Sequence, residues 1–202
     1  AIQVFSACSA GNVAPVLTLL TEDNVRPWDV DYDTATDRAF VALTDGTIAV
    51  FDQVTAKLAN GEMTINGQDR TIIPTIGSAT ISAPTNIHGI DYDPASDTLV
   101  VSDVGSATDA TDGKVYVLPA ASSANEETEV SVNIAGPATM LGNPVDIMLA
   151  GNSLYVAEKS NNMIIRFDNI FSMAGGDVAP DAAVDYTAPE SVAIIPSYLT
   201  RQ

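Results

Sequence analysis

One imidazole, one indole and a set of carboxylates carry most of the chemistry this 202-residue chain can offer. His88 is the only histidine, and an imidazole is the side chain that titrates near neutrality. Asp29, Asp146 and Glu190 lie at or beside the corresponding place in other short apolar runs. With His88 they could ring a cation or polarise a substrate carbonyl. Trp28 holds in its own run the place that His88 holds, and joins this candidate ligand-binding set. Carboxylates at the start of a strand also bond nearby backbone N–H groups, so a structural role competes for each of them. A second group, Asp103, Asp109 and Asp112 followed by Gly113, shares one polar loop. Oxygen-rich flexible loops suit Ca²⁺, but the spacing is not that of an EF-hand. A solvated hairpin is the plainer reading. The pairs Asp33/Asp37 and Asp93/Asp97 recur at one turn of two runs, which argues for turn capping.

Other chemistries lack their residues. There is no G-x-S-x-G elbow and no glycine-rich phosphate loop. The single cysteine, Cys8, excludes an intrachain disulfide. No Cys/His cluster suggests transition-metal or haem ligation. No cofactor is expected apart from Ca²⁺ at the loop.

The candidates are placed by a repeat. Trp28–Asp33 overlays His88–Asp93, then Val145–Leu149, then Glu190–Ile194. A second run recurs as Ala39–Ala42, Leu99–Ser102 and Leu154–Ala157; a third as Ile48–Phe51, Val115–Leu118, Ile164–Phe167 and, at the start, Ile2–Phe5. β-Branched and aromatic runs bounded by Gly, Asn and Ser clusters read as strands. Self-similar four-strand units read as blades of a β-propeller. The expected fold is one all-β domain of about four blades: 27–76, 85–134, 142–186, and a fourth split between 189–202 and 1–20. Val30, Ile90, Ile147 and Val192 are expected to be buried on first strands, and Val41, Val101 and Val156 on second strands. Val54–Leu58 could form a helical turn. Glu129–Ile134 is expected as the outer strand of the 85–134 unit. First strands would line a central channel, with Trp28, Asp29, His88, Asp146 and Glu190 at its rim.

The stretch Asn143-Pro144, Leu154–Glu158 and Asn161–Phe167 resembles the NHL repeat: a proline-led first strand, a "lyVaD"-like second and an "NnrI.vf"-like third. The whole is similar to the NHL and YVTN-like propellers of secreted bacterial proteins. The resemblance implies an extracellular or periplasmic propeller and says little about activity, because propellers host unrelated functions. SMP-30-like lactonases hold a divalent metal with carboxylates and Asn at the channel mouth. That set transfers to this chain by position only, and Gly89 and Val145 dilute it.

Eight basic residues against 26 acidic ones give a net charge of −18, which argues against nucleic acid or anionic membranes as partners. No apolar run is long enough to span a bilayer. The absence of an initiator Met and of a leader reads as a mature form or a fragment. The expected function is a non-enzymatic binding or structural module. Its expected partner is a protein or a second copy, joined by strand completion. The alternatives are a metal-dependent lactonase-like hydrolase and a ligand-binding fragment of a larger propeller. The split unit could close within one chain, which is entropically simpler, or between chains.

Overall fold

The computed structural model describes residues 1–77, 79–81, 85–106 and 108–195. In chain order the elements are β1 (Ile2–Val4), β2 (Leu17–Leu20), β3 (Pro27–Asp33), β4 (Arg38–Leu43), β5 (Ile48–Asp52), α1 (Val54–Ala59), β6 (Thr64–Asn66) and β7 (Arg70–Ile76). There follow β8 (Ala79–Thr80), β9 (Ile87–Asp93), β10 (Thr98–Asp103), β11 (Lys114–Pro119), β12 (Glu126–Glu129) and β13 (Val132–Ala135). The last four are β14 (Pro144–Ala150), β15 (Ser153–Glu158), β16 (Met163–Phe167) and β17 (Ala182–Asp185). The protein is all-β, with several antiparallel sheets and one short helix.

Three sheets repeat one antiparallel plan: β3-β4-β5-β7, β9-β10-β11-β13 and β14-β15-β16-β17. Short runs of alternating residues followed by tight turns make this plan local, since antiparallel neighbours need only a hairpin. Asp45-Gly46 closes one such hairpin, with Gly46 at φ +87°, where a side chain would be strained. A fourth, smaller sheet joins β1 to β2, with β6 added in parallel.

The sheets stack face to face. Leu17 and Leu19 pack on Val41, Ala49 and Phe51. The other face of that sheet, with Phe40, Ile48, Val50 and Ile72, meets Ile90, Leu99, Val101 and Tyr116. Val100, Val115 and Val117 then meet Ile147, Val156, Ile165 and Phe167. A sheet inside the stack is buried on both faces, so its strands read as near-continuous apolar runs rather than strict alternation. The shared register is explicit: Val30 opposes Val41, Ile90 opposes Val101, and Ile147 opposes Val156.

Several details depart from the expectations. Val30 is 40% exposed, whereas Ile90 and Ile147 are 4% and 3% exposed and Val192 is half-buried. β9 and β14 each have a first strand packed on the preceding side, and among the described residues β3 does not. The outer strand of the 85–134 unit is Val132–Ala135, not Glu129–Ile134; Glu126–Glu129 instead pairs in parallel with β7 of the neighbouring sheet. Pro189–Ile195 forms no ladder among the described residues, and the expected second strand at 198–201 lies outside them. Val54–Ala59 is a helix whose first turn is capped from afar: the Asp37 carboxylate accepts N–H bonds from Thr55 and Ala56. That residue also accepts the Tyr32 hydroxyl, and Asp97 accepts Tyr92 and Ser122 in the same way.

Replacing Ile147 by Ala should cost about 2–5 kcal/mol through lost transfer energy and a cavity. The same change at Val30 should cost less than about 1 kcal/mol, because much of that side chain is already wet. Denaturant unfolding of both variants checks the pair; equal losses would contradict the stacking order described above.

Candidate functional site

The first strands β3, β9 and β14 lie side by side where the sheets converge, and carboxylates join them. Asp29 Oδ2 accepts the Ile90 N–H at 3.1 Å, and Asp31 Oδ2 accepts that of Tyr92 at 2.8 Å. Asp91 Oδ2 accepts from Leu149 at 2.6 Å, and Asp146 Oδ2 from Val192 at 2.8 Å. The first three bonds run from one first strand to the next, and the fourth runs from β14 to the segment after Pro189. The second oxygens of Asp29 and Asp146 accept the N–H of the residue that follows, Val30 and Ile147. Gly89 breaks the series because a Cβ there would come within 2.9 Å of the Ile147 nitrogen. Ser102 takes over, accepting from Gly89 N–H and donating to the Pro144 carbonyl.

At one end of this row each first strand carries an irregularity of register, between Pro27 and Asp29, between Ile87 and Ile90, and between Pro144 and Asp146. An extra residue in a strand re-aims side chains. It lets consecutive residues, Trp28 with Asp29 and Val145 with Asp146, line the same cleft. The cleft has a volume of about 500 Å³ and is also lined by Asn86, His88, Asn143, Lys159, Glu190 and Ser191. All five expected rim residues, Trp28, Asp29, His88, Asp146 and Glu190, therefore border one space.

Their states differ. Trp28 stacks on His88 with ring centroids 3.9 Å apart and planes 29° apart. Its indole N–H donates to Asn86 Oδ1 at 3.2 Å, and the residue is 49% exposed. Burial, with Lys159 nearby, pushes the His88 pKa down to about 4, and its Nε2 is buried without a hydrogen-bond partner. Burial raises the Asp29 pKa against the two N–H bonds that lower it, and the Asp146 and Asp31 charges add to the rise. Glu190 is exposed and pairs with Lys159 Nζ at 2.6 Å.

Two acids that the sequence reading did not assign to this end of the strands hold it together. Glu158, fully buried, accepts backbone N–H bonds from Gly142, Asn143, Ser160 and Asn161. Asp103, also fully buried, accepts from Asn86 and Gly105. These equivalent side chains place the equivalent residues Asn143 and Asn86 on the cleft wall. The sequence signal was available: both acids end a second strand, two and three residues before a glycine- or asparagine-bearing turn.

Asp103 therefore faces inward, away from any loop ligand set. Asp109 accepts from Thr111, and Asp112 from Ser106 N–H. Among the described residues, no group of three or more His, Cys, Asp or Glu side chains is arranged to hold a metal ion, in this loop or in the cleft. The donor set does not fit a divalent cation in the cleft, since Asp29 and Asp146 hold backbone N–H groups and Glu190 pairs with Lys159.

Two titrations are expected. Burial raises the Asp91 pKa to about 6. The folded state then binds the proton more tightly than the unfolded one, so Asp91 lowers stability as pH rises from about 4 through 6. Asp91→Asn keeps an acceptor for Leu149. It should gain about 1–2 kcal/mol over wild type by pH 7 after allowance for partial solvent screening, and little at pH 4. Comparing unfolding curves of the two proteins across this range checks the sign. His88 contributes the opposite slope, because it is neutral when folded and protonated below about 6.5 when unfolded. The sole tryptophan reports on it directly: imidazolium quenching of Trp28 fluorescence should set in only near pH 4, and His88→Ala should abolish it.

No protein-family model and no curated protein sequence matches the chain. Solved structures do match. A putative 6-phosphogluconolactonase from Bacteroides fragilis superposes with a TM-score of 0.56 at 15% identity, over 90% of this chain and 43% of that one. A putative 6-phosphogluconolactonase from Bacteroides uniformis gives 0.54 at 12% identity, over 82% and 42%. The chain thus spans less than half the length of the structures it matches, and at such identities the likeness is one of fold alone.

Proposed function

We propose that this chain is an extracytoplasmic, non-enzymatic binding and assembly module, built as an arc of β-propeller blades around the cleft. Three repeated four-strand sheets with adjoining first strands support the arc. The partial sheet of β1 and β2 and the segment from Pro189 would be two parts of one further blade. The extracytoplasmic placement rests on the resemblance of Asn143–Phe167 to secreted repeat proteins.

One observation carries the non-enzymatic reading: Asp29 and Asp146 at the rim each have both oxygens bonded to backbone N–H groups. A general base or metal ligand needs a free lone pair directed at the substrate. In each of these acids one oxygen holds the next N–H of its own strand and the other an N–H of the neighbouring segment, so neither oxygen is aimed at the cleft unoccupied. What remains to meet a ligand is the exposed face of Trp28, the Lys159–Glu190 pair and the two asparagines.

A lactonase-like hydrolase is the second reading. It is favoured by the fold of the matching structures and by a neutral His88 in the cleft. Assay of the purified protein with glucono-δ-lactone and 6-phosphogluconolactone separates the two readings. The module reading expects no acceleration over buffer, with or without added divalent metal. A rate enhancement that His88→Ala removes would establish the hydrolase instead.

A further inference from the structure

The stack has one notch, and the chain carries a segment of matching register. Ile90 and Ile147 are buried because each first strand has another first strand on its preceding side. The equivalent residue of β3, Val30, is 40% exposed; Tyr32 on the same face is exposed too, as is Trp28 beyond the register irregularity. β1 and β2 cover only the outer part of that sheet, through Leu17, Leu19, Ile2 and Val4 against Val41 and Phe51. Among the described residues β1 pairs with β2 alone, so its other edge is unpaired there. The uncovered surface is thus the inner half of one blade: an apolar strip on β3 and a free strand edge on β1. Such an edge is a template for pairing with another chain.

The segment Glu190–Ile195 aligns in register with the first strands, and Val192 accepts the place of a first strand by donating to Asp146. Its far side is bare, with Ile194 39% and Ile195 68% exposed. The donor segment and the receiving strip are therefore both uncovered in the same molecule. The two match in register, and among the described residues they are not in contact.

We propose that a second copy of this chain fills the notch. Its segment Glu190–Ile195 would lie on Trp28, Val30 and Tyr32 and pass toward the edge of β1, as β9 lies between β3 and β14. The contact is heterologous, since the donor and acceptor are different surfaces, so repetition gives a ring if the rotation closes and a fibre if it does not. The proposal rests on the propeller-arc reading given above. The net charge of −18 per copy opposes association, and screening relieves it.

The experiment is the solution mass of the full chain, with two charge-insertion variants at exposed sites. Wild type should exceed its 21.0 kDa monomer mass. The assembled fraction should grow as salt rises from about 0.01 M to about 0.5 M. Trp28 emission should shift to the blue on assembly. Val30→Lys blocks the acceptor and Ile195→Lys blocks the donor. Each variant alone should be a monomer with a near-native melting temperature, and an equal mixture should give a dimer through the one intact pair of surfaces. Val30→Lys protein as heavy as wild type, or a mixture that stays monomeric, overturns the proposal. A ring-shaped wild-type monomer under the electron microscope overturns it while leaving the propeller arrangement standing. An irregular monomer overturns both.

Discussion

Neighbouring sheets are joined by carboxylates that cross from one first strand to the backbone of the next. Antiparallel hairpins assemble each sheet from local sequence, but nothing local tells two sheets how to sit together. The bonds from Asp29, Asp31 and Asp91 do so at three places along the converging strands, and Asp146 holds the segment at Val192 against β14 in the same way. A hydrogen bond to a charged acceptor contributes about 1.5–3 kcal/mol, more than a neutral one. Against that stands the cost of drying the carboxylate, visible in the raised pKa values of Asp29, Asp31 and Asp91. At these three acids the drying outweighs the bonds, so the charged form costs stability in the fold. The value of each bond lies in direction, because a charged acceptor aimed at one N–H fixes the relative register of two sheets.

This constraint shapes the cleft. Asp29 and Asp146 on its wall also join neighbouring segments, so each of their oxygens already accepts a backbone N–H of the protein itself. The side chains not so engaged are those displaced by the register irregularities. Trp28 and His88 form a stack that shields the imidazole from water and keeps it neutral. The wall behind them is fixed by two fully buried acids, Glu158 and Asp103, each gathering backbone N–H groups from two sides. Burying an ionised group is tolerated only when several donors surround it. These acids are therefore anchors of the strand ends, and Asn86 and Asn143 are held at the wall as a result.

The distribution of apolar surface follows from the stacking. Inner sheets bury both faces, which explains the continuous apolar runs of β4, β10 and β11. The end positions do not, and the exposed Val30, Val184 and Tyr186 lie there. No described helix is long and apolar enough to cross a membrane. The strongly acidic remainder of the surface keeps such apolar strips from associating indiscriminately, since like charge opposes every approach that lacks a specific fit.

Much of this was legible in the sequence. Runs such as WDVDYD and HGIDYD, repeated with their second and third partners, determined the strands, their antiparallel order and their register, because those depend on residues within a hairpin's reach. They also brought Trp28, Asp29, His88, Asp146 and Glu190 into one set, since equivalent positions of equivalent strands must lie near one another. The periodicity could not say which equivalent positions are buried. Val30 and Ile90 are indistinguishable by pattern, and only the presence or absence of a neighbouring sheet separates them. Nor could it say that Glu126–Glu129 would leave its own unit to pair with β7, because a parallel bridge between sheets has no local signal. The roles of the acids were likewise decided by tertiary structure: an aspartate that binds a ligand and one that clasps the next strand read the same in one dimension. Their difference is whether one oxygen meets an N–H of the neighbouring strand, a donor that is in reach only once the sheets are side by side.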